Sequence, residues 1–354
     1  VVKDYLKSKN IDINEIMIVQ GTLRPDLIES ASNIASDSAS VIKTHHNDTE
    51  LVRNLRNRNL VVEPLKDFHK DEVRNIGKML GLEEDVVHRH PFPGPGLAIR
   101  IICADKPYFS ENYKIALDTL SIVFNYHTAD SDKILPIKSI ISQHDSNLLD
   151  TIFSTLENKI NYTLLPINSV GVQGDNRTYR NVLAVSADIV PDWEVLDNLA
   201  RIIPNIIPQI NRVCFAFGSK IKDNVINSIV KTTLTENVLE QTRIFDFNVN
   251  KILSESGETI KLSQMPIVMI PINFDQDTQE KRSFVIRPFI TSDFMTGIAA
   301  KPDINYSKSV NLSFNLVLSF FILMSIVEYS KHCKFSSKLL YDLSSKPPGT
   351  TEWE

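Results

Sequence analysis

The feature that most limits how this chain can fold is a run of three prolines and two glycines, His90-Pro91-Phe92-Pro93-Gly94-Pro95-Gly96. Proline lacks the backbone N–H and its ring clashes with the preceding turn, so neither a helix nor a central strand can pass through such a run. The chain must pack separately on either side of it. Its 354 residues also exceed the roughly 100–200 of one ordinary domain. Three units are expected, at 1–96, 97–260 and 261–354.

Before the break, strand-like and helix-like patterns alternate, which is the signature of parallel βα units. Ile16 to Val19 reads as a buried strand leading into Gln20-Gly21-Thr22 and a helix from Pro25 to about Ala35. Val41-Ile42 and Val61-Val62 read as further strands. Asp71 to Leu82 reads as an amphipathic helix, with Val73, Ile76, Met79 and Leu80 on one face and Gly81 near its end.

Beyond the break the chain carries a faint internal repeat. Tyr162 to Ala187 holds Leu165-Pro166-Ile167, a Gly/Asp turn and Val182 to Val185, and Ile267 to Ala300 repeats that order with Ile270-Pro271-Ile272 and Phe284 to Arg287. A helix and a closing strand follow each copy, so two tandem α+β modules are expected. Pro107 to Leu156 reads as mainly helical. Leu316 to Val327 is nearly all apolar but shorter than the ~20 residues a spanning helix needs, which favours a buried helix and argues against a membrane role.

Charge and cysteine content exclude several functions. A net charge of −5 does not suit nucleic acid, whose binding requires a basic surface. Cys103, Cys214 and Cys333 lie far apart, forming neither a zinc spacing nor a disulfide framework, and a reducing, cytoplasmic setting is expected. The chain opens Val1-Val2-Lys3-Asp4 without an initiator methionine, and an incomplete amino terminus is expected. No two glycines are adjacent and no GxGxxG occurs, so a Gly-rich phosphate cradle is missing from these residues. None of the cysteines lies in the Gly-flanked turn of a glutaminase nucleophile.

Several polar clusters are candidates for chemistry, each with a plainer alternative. Gln20, Gly21 and Thr22 follow a strand directly, where ligands of open parallel sheets bind, or they form an ordinary turn. Lys43-Thr44-His45-His46-Asn47 concentrates donors suited to a transferring phosphoryl group, or it is a surface loop. No metal ligand set is expected, because adjacent histidines point apart. His88-Arg89-His90 could hold an anion or serve as a linker. Gly171 to Arg177 is a polar hairpin turn, and Lys346-Pro347-Pro348-Gly349-Thr350-Thr351-Glu352-Trp353-Glu354 is a tail stiffened by prolines, with one ammonium and one carboxylate placed for a ligand.

In this order the clusters resemble GMP synthetase of the animal type. The resemblance rests on Gln20 to Ser30, Lys43 to Asn47, His90 to Leu97, Gly171 to Asp175, Ser263-Gln264-Met265-Pro266, Thr291 to Gly297 and Lys346 to Glu354. It implies a ligase of purine nucleotide biosynthesis that adenylylates XMP with ATP and Mg²⁺, then lets glutamine-derived ammonia displace AMP. The implied fold is α/β: part of an adenine-nucleotide alpha-hydrolase-like parallel sheet, followed by two tandem α+β modules for dimerisation and XMP binding. By position, the resemblance makes Lys43, His45, His46 and Asn47 a catalytic lid. It makes Gln173, Asp175, Gln264, Lys346 and Glu352 XMP ligands, and Gln20, Gly21, Thr22 and Asp26 part of the ATP and ammonia wall. The implied partners are XMP, ATP and the glutaminase and phosphate-loop region of the same enzyme, with a homodimer left open. A non-catalytic module for XMP binding or dimerisation is the alternative.

Overall fold

The computed structural model describes residues 8–10, 12, 16–27, 50–110, 112–125, 128–130, 132, 134, 135, 137, 160–174, 176–189, 192–221, 225–276, 280–291, 296–303 and 318–354. The chain divides into two compact units, Val1–Arg89 and His90–Glu354. The strand expected at Val41-Ile42 lies outside the described residues.

In the first unit β1 (Ile18–Val19) and β2 (Val61–Val62) pair in parallel, with Ile18 opposite Val61. Helix α1 (Glu50–Asn57) leads into β2, and residues 24–27 begin a helical turn beyond β1. The helix expected from Asp71 runs as α2 (Lys70–Met79). It is opened by a reciprocal cap in which the Glu72 carboxylate accepts the His69 N–H at 2.7 Å. Gly81, at φ +77, takes the left-handed conformation that ends it. A short helix, α3 (Glu84–Val87), follows.

In the second unit α4 (Tyr113–Phe124) precedes the longest hairpin, β3 (Ile160–Gln173) and β4 (Asn176–Ala187). These strands run antiparallel from Ile160 opposite Ala187 to Gln173 opposite Asn176, and Gly174 supplies the positive φ of +62 at the turn. Next come α5 (Trp193–Ile206), β5 (Ile210–Ala216) and α6 (Glu236–Glu255). They are followed by β6 (Ile267–Ile270), β7 (Arg282–Ile286), β8 (Phe289–Ile290), β9 (Ile298–Ala299), β10 (Pro302–Asp303) and β11 (Leu318–Ser319). Helix α7 (Phe320–His332) and β12 (Ser336–Asp342) complete the unit.

Six strands form one mixed sheet in the order β3-β4-β5-β12-β7-β6. Strands from both expected modules therefore share one sheet. On one side of its centre β4 runs parallel to β5, on the other β7 runs parallel to β12, and β5 meets β12 antiparallel. The order is symmetric about that central pair.

The two-residue period of a strand sends alternate side chains to opposite faces. Leu183, Val185, Val213, Phe215, Phe284, Ile286, Leu339 and Tyr341 face one way and pack against α5, α6 and α7. On that side the fully buried Phe245 and Phe284 rings lie parallel with centroids 3.7 Å apart. Val182, Ala184, Cys214, Ala216, Val268, Val285 and Leu340 face the other way, where connecting segments and Trp353 cover them.

The apolar run from Leu316 differs from its expected form. Leu318 and Ser319 pair with Pro302 and Asp303 as a strand, and the helix starts only at Phe320. Leu323, Ile326, Val327 and Ser330 are its buried stripe, at the three- and four-residue spacing of one helical face, while Phe321 is 70% exposed. Among the described residues no helix is long and apolar enough to cross a membrane.

Candidate functional site

The loop-covered face of the sheet holds charges that alternation alone accounts for. Arg212 precedes Cys214 by two residues, Arg287 follows Val285 by two, and Asp342 follows Leu340 by two, so all three side chains turn toward the face without helices. Each is fully buried. Oδ2 of Asp342 accepts hydrogen bonds from the Arg212 guanidinium at 2.8 Å and the Trp353 indole N–H at 3.0 Å, and forms an ion pair with the Arg287 guanidinium at 2.9 Å. Oδ1 accepts the Ser344 N–H at 2.9 Å.

Burial alone would raise the Asp342 pKa, but Arg287 and Arg212 outweigh it and hold the carboxyl below its ordinary value. Burial pulls Arg212 down to about 10, against the pull of Asp342, and it stays cationic at neutral pH. Two buried cations thus share one buried anion. Among the described residues Arg212 Nε and Arg287 Nε and NH2 find no hydrogen-bond acceptor.

These cations hold the carboxy-terminal tail. Arg212 NH2 donates to the carbonyls of Val170 (3.0 Å), Thr350 (3.0 Å) and Glu352 (2.9 Å) and to the Thr350 hydroxyl at 2.9 Å. Its guanidinium lies 4.9 Å from the Trp353 ring centroid, a cation–π distance. Arg287 NH1 donates to the Ser344 carbonyl at 2.8 Å. The tail also borrows edge hydrogen bonds from β3, because Val170 N–H reaches the Trp353 carbonyl at 2.7 Å and Val172 N–H the Pro348 carbonyl at 2.8 Å. Gly171 allows this approach, since a Cβ there would lie 2.5 Å from the Asn211 side chain and 2.6 Å from the Pro348 carbonyl.

Lys346 is anchored through its backbone to Gly297, with bonds of 2.8 and 3.1 Å in opposite directions. A Cβ on Gly297 would stand 2.2 Å from the Phe289 ring, so glycine is required for that pairing. The two segments border a cavity of about 500 Å³ lined by Thr291, Thr296, Gly297, Ser345, Lys346 and Pro347, with Ile290 and Ile298 as its apolar wall. A lining that includes a lysine, two threonines and a serine beside two isoleucines suits a small anionic ligand with an apolar part.

Residues 154–225 match the family model described as the GMP synthase C terminal domain. Over its whole length the chain is 40% identical to a probable glutamine-hydrolyzing GMP synthase of Caenorhabditis elegans, of which it covers 50%. It is likewise 42% identical over its whole length to the GMP synthase of Dictyostelium discoideum, covering 49% of it. With a probable GMP synthase of Leptospira interrogans it shares 32% identity over 99% of its own length and 48% of the relative. Over its whole length the chain is thus similar to one half of glutamine-hydrolyzing GMP synthases. It spans about half the length of the curated relatives it matches.

Within this chain the residues expected at the site have different surroundings. Lys346 and Glu352 share the tail. Gln264 is tied to it indirectly: its backbone pairs with Phe289, whose ring lies under Gly297, and its side-chain amide donates to the Pro91 carbonyl at 3.0 Å. Gln173 turns its amide toward the Pro208 carbonyl at 3.1 Å and the Asn211 side chain at 3.2 Å. Asp175 and the four lid residues Lys43, His45, His46 and Asn47 lie outside the described residues.

In the first unit Gln20, Gly21 and Thr22 follow β1 directly. Thr22 is fully buried and donates to Glu63 at 2.6 Å, while Asp26 accepts the Leu23 N–H at 2.9 Å. Arg56 forks the same Glu63 with two 2.8 Å bonds, and that pairing holds Glu63 below its ordinary pKa. In the second unit His90 donates from Nε2 toward the Thr259 and Leu262 carbonyls at 3.0 and 3.1 Å.

Arg212, Arg287 and Asp342 were not among the expected site residues. The available signal was a charge inside each of three apolar strand patterns, since a buried polar residue is more informative than a buried apolar one.

Proposed function

We propose that this chain binds XMP against its carboxy-terminal tail and, together with the ATP phosphate loop and glutaminase of a longer enzyme, converts XMP to GMP. In that reaction the purine 2-oxygen attacks the α-phosphorus of ATP, pyrophosphate leaves, and glutamine-derived ammonia displaces AMP at the same carbon. Lys346 takes the nucleotide phosphate, and Glu352 accepts hydrogen bonds from polar hydrogens of the nucleotide. Lys43, His45, His46 and Asn47 keep a catalytic role, and Gln20 to Asp26 an ATP-facing one, on the strength of the resemblance. The halves of the six-stranded sheet are taken as the two tandem modules. Magnesium accompanies ATP as the phosphates' counterion. Among the described residues no three His, Cys, Asp or Glu side chains cluster to hold a metal.

The observation that carries this reading is the backbone pairing of Lys346 with Gly297, which sets Lys346 in the lining of a cavity shared with Thr291, Thr296 and Ser345. Because Arg212 and Asp342 pin the tail, little ordering remains to be done when ligand arrives. Isothermal titration of the chain with XMP tests the proposal. A saturable heat with Lys346→Ala weakening it by about 10- to 100-fold, the size of a lost charge-assisted hydrogen bond, is expected. Absence of binding by the parent chain at millimolar XMP, or unchanged affinity in Lys346→Ala, would overturn it.

A further inference from the structure

Glu352 already has a partner. Arg100 Nε donates to one of its carboxylate oxygens at 3.1 Å and Arg100 NH2 to the other at 3.0 Å, a bidentate fork that fixes the carboxylate plane. The residues are 252 positions apart, so the contact is purely tertiary. Arg100 ends the short 3₁₀ helix Gly96–Arg100 that leaves the proline and glycine run. The next residues tie its backbone to the sheet, because Ile101 bridges Met269 and Ile102 N–H donates to the Met269 carbonyl at 2.9 Å.

The guanidinium is held as firmly as the backbone. Its side chain is 6% exposed, with the Phe92 ring centroid 6.0 Å from its central carbon. Asp246 is the other acid that faces it, 3.7 Å from NH1 and beyond hydrogen-bond reach. The Glu352 side chain, by contrast, is 20% exposed. A carboxylate has about four lone-pair sites, and a fork consumes one on each oxygen, so Glu352 keeps one acceptor direction per oxygen.

We infer that Arg100 is the positioning residue for Glu352, aiming its remaining lone pairs at the nucleotide and coupling the segment after the proline run to the ligand. This rests on the reading that XMP binds at the tail. Without the fork, Glu352 would sample several rotamers, and the entropy of choosing one would be lost on binding.

The test is a double-mutant cycle on the full chain, with XMP affinity by calorimetry, melting temperature, and Trp353 fluorescence in a Trp193→Phe background to report tail seating. Arg100→Met is expected to weaken XMP binding about 10- to 100-fold, Glu352→Gln by a similar factor, and the pair by far less than the product. Arg100→Lys, which keeps the charge but not the fork, should fall between parent and Arg100→Met at unchanged melting temperature and fluorescence. A folded Arg100→Met or Arg100→Lys chain with parental affinity would overturn the inference while leaving the XMP reading intact, as would strictly multiplicative losses or tighter binding. Failure of the parent chain to bind XMP would overturn both.

Discussion

Replacing Asp342 with asparagine removes the anion between two fully buried guanidinium groups while preserving side-chain shape. Its Oδ2 accepts two hydrogen bonds, at 2.8 and 3.0 Å, and pairs with the Arg287 guanidinium at 2.9 Å. An amide in its place offers one oxygen, and its NH2 faces donors. Removing one partner of a buried ion pair strands the other, at about 3–5 kcal/mol, and here two cations would be stranded. A loss of at least about 3 kcal/mol is therefore expected for Asp342→Asn. Replacing all three charges together, as Arg212→Met, Arg287→Met and Asp342→Leu, should cost less than the single change, because no unpaired charge remains.

Urea unfolding followed by tryptophan fluorescence suits the measurement, since both tryptophans, Trp193 and Trp353, lie in His90–Glu354 and report on that unit. The midpoint should fall with little change in slope. A loss under about 1 kcal/mol in Asp342→Asn would refute the view that this anion organises the tail, as would a triple variant less stable than the single one.

The same carboxylate sets an acid limb. Its folded pKa lies below the ordinary 3.8, so its stabilisation is complete above that value and is lost as pH falls through the depressed folded value. The parent should lose stability below about pH 4 more steeply than Asp342→Asn, as read by urea midpoints across pH. Gly297→Ala puts a methyl group against the Phe289 ring. It should cost about 1–3 kcal/mol in urea unfolding and weaken XMP binding by displacing Lys346. Phe245→Ala empties one side of the stacked pair with Phe284 and should cost about 3–5 kcal/mol by the same assay. Cys103 is exposed, whereas burial holds the Cys214 thiol well above its usual pKa. A thiol reagent at neutral pH should label Cys103 in the folded chain and reach Cys214 only after unfolding.

Local elements were legible because their causes are local. The spacing of Val73 and Ile76 marks α2, although Met79 and Leu80, expected on the same apolar face, are exposed; the Gly174 turn between apolar runs marks the β3–β4 hairpin, and Pro347 with Pro348 marks a stiff tail. The clusters ordered along the chain also carried the resemblance to GMP synthetase, and whole-length similarity to GMP synthases accords with it. Strand periodicity assigns a side chain to one of two faces but does not name the neighbouring strand. The meeting of β5 with β12, and with it the pairing of Arg212 with Asp342 across 130 positions, could not be read from either segment alone. The same limit hid the Arg100 fork on Glu352 and the inward turn of the Gln173 amide toward Asn211.

What the sequence determined by itself was local, namely the helix beginning near Asp71, the β3–β4 hairpin and the alternating faces of the sheet strands, because backbone sterics and hydrophobic spacing act over a few residues. Only the tertiary structure decided which charges neutralise one another and which groups border the cavity. Those choices depend on strand order and on sub-ångström distances between residues remote in the chain, where a buried cation is tolerable only if an anion arrives from elsewhere.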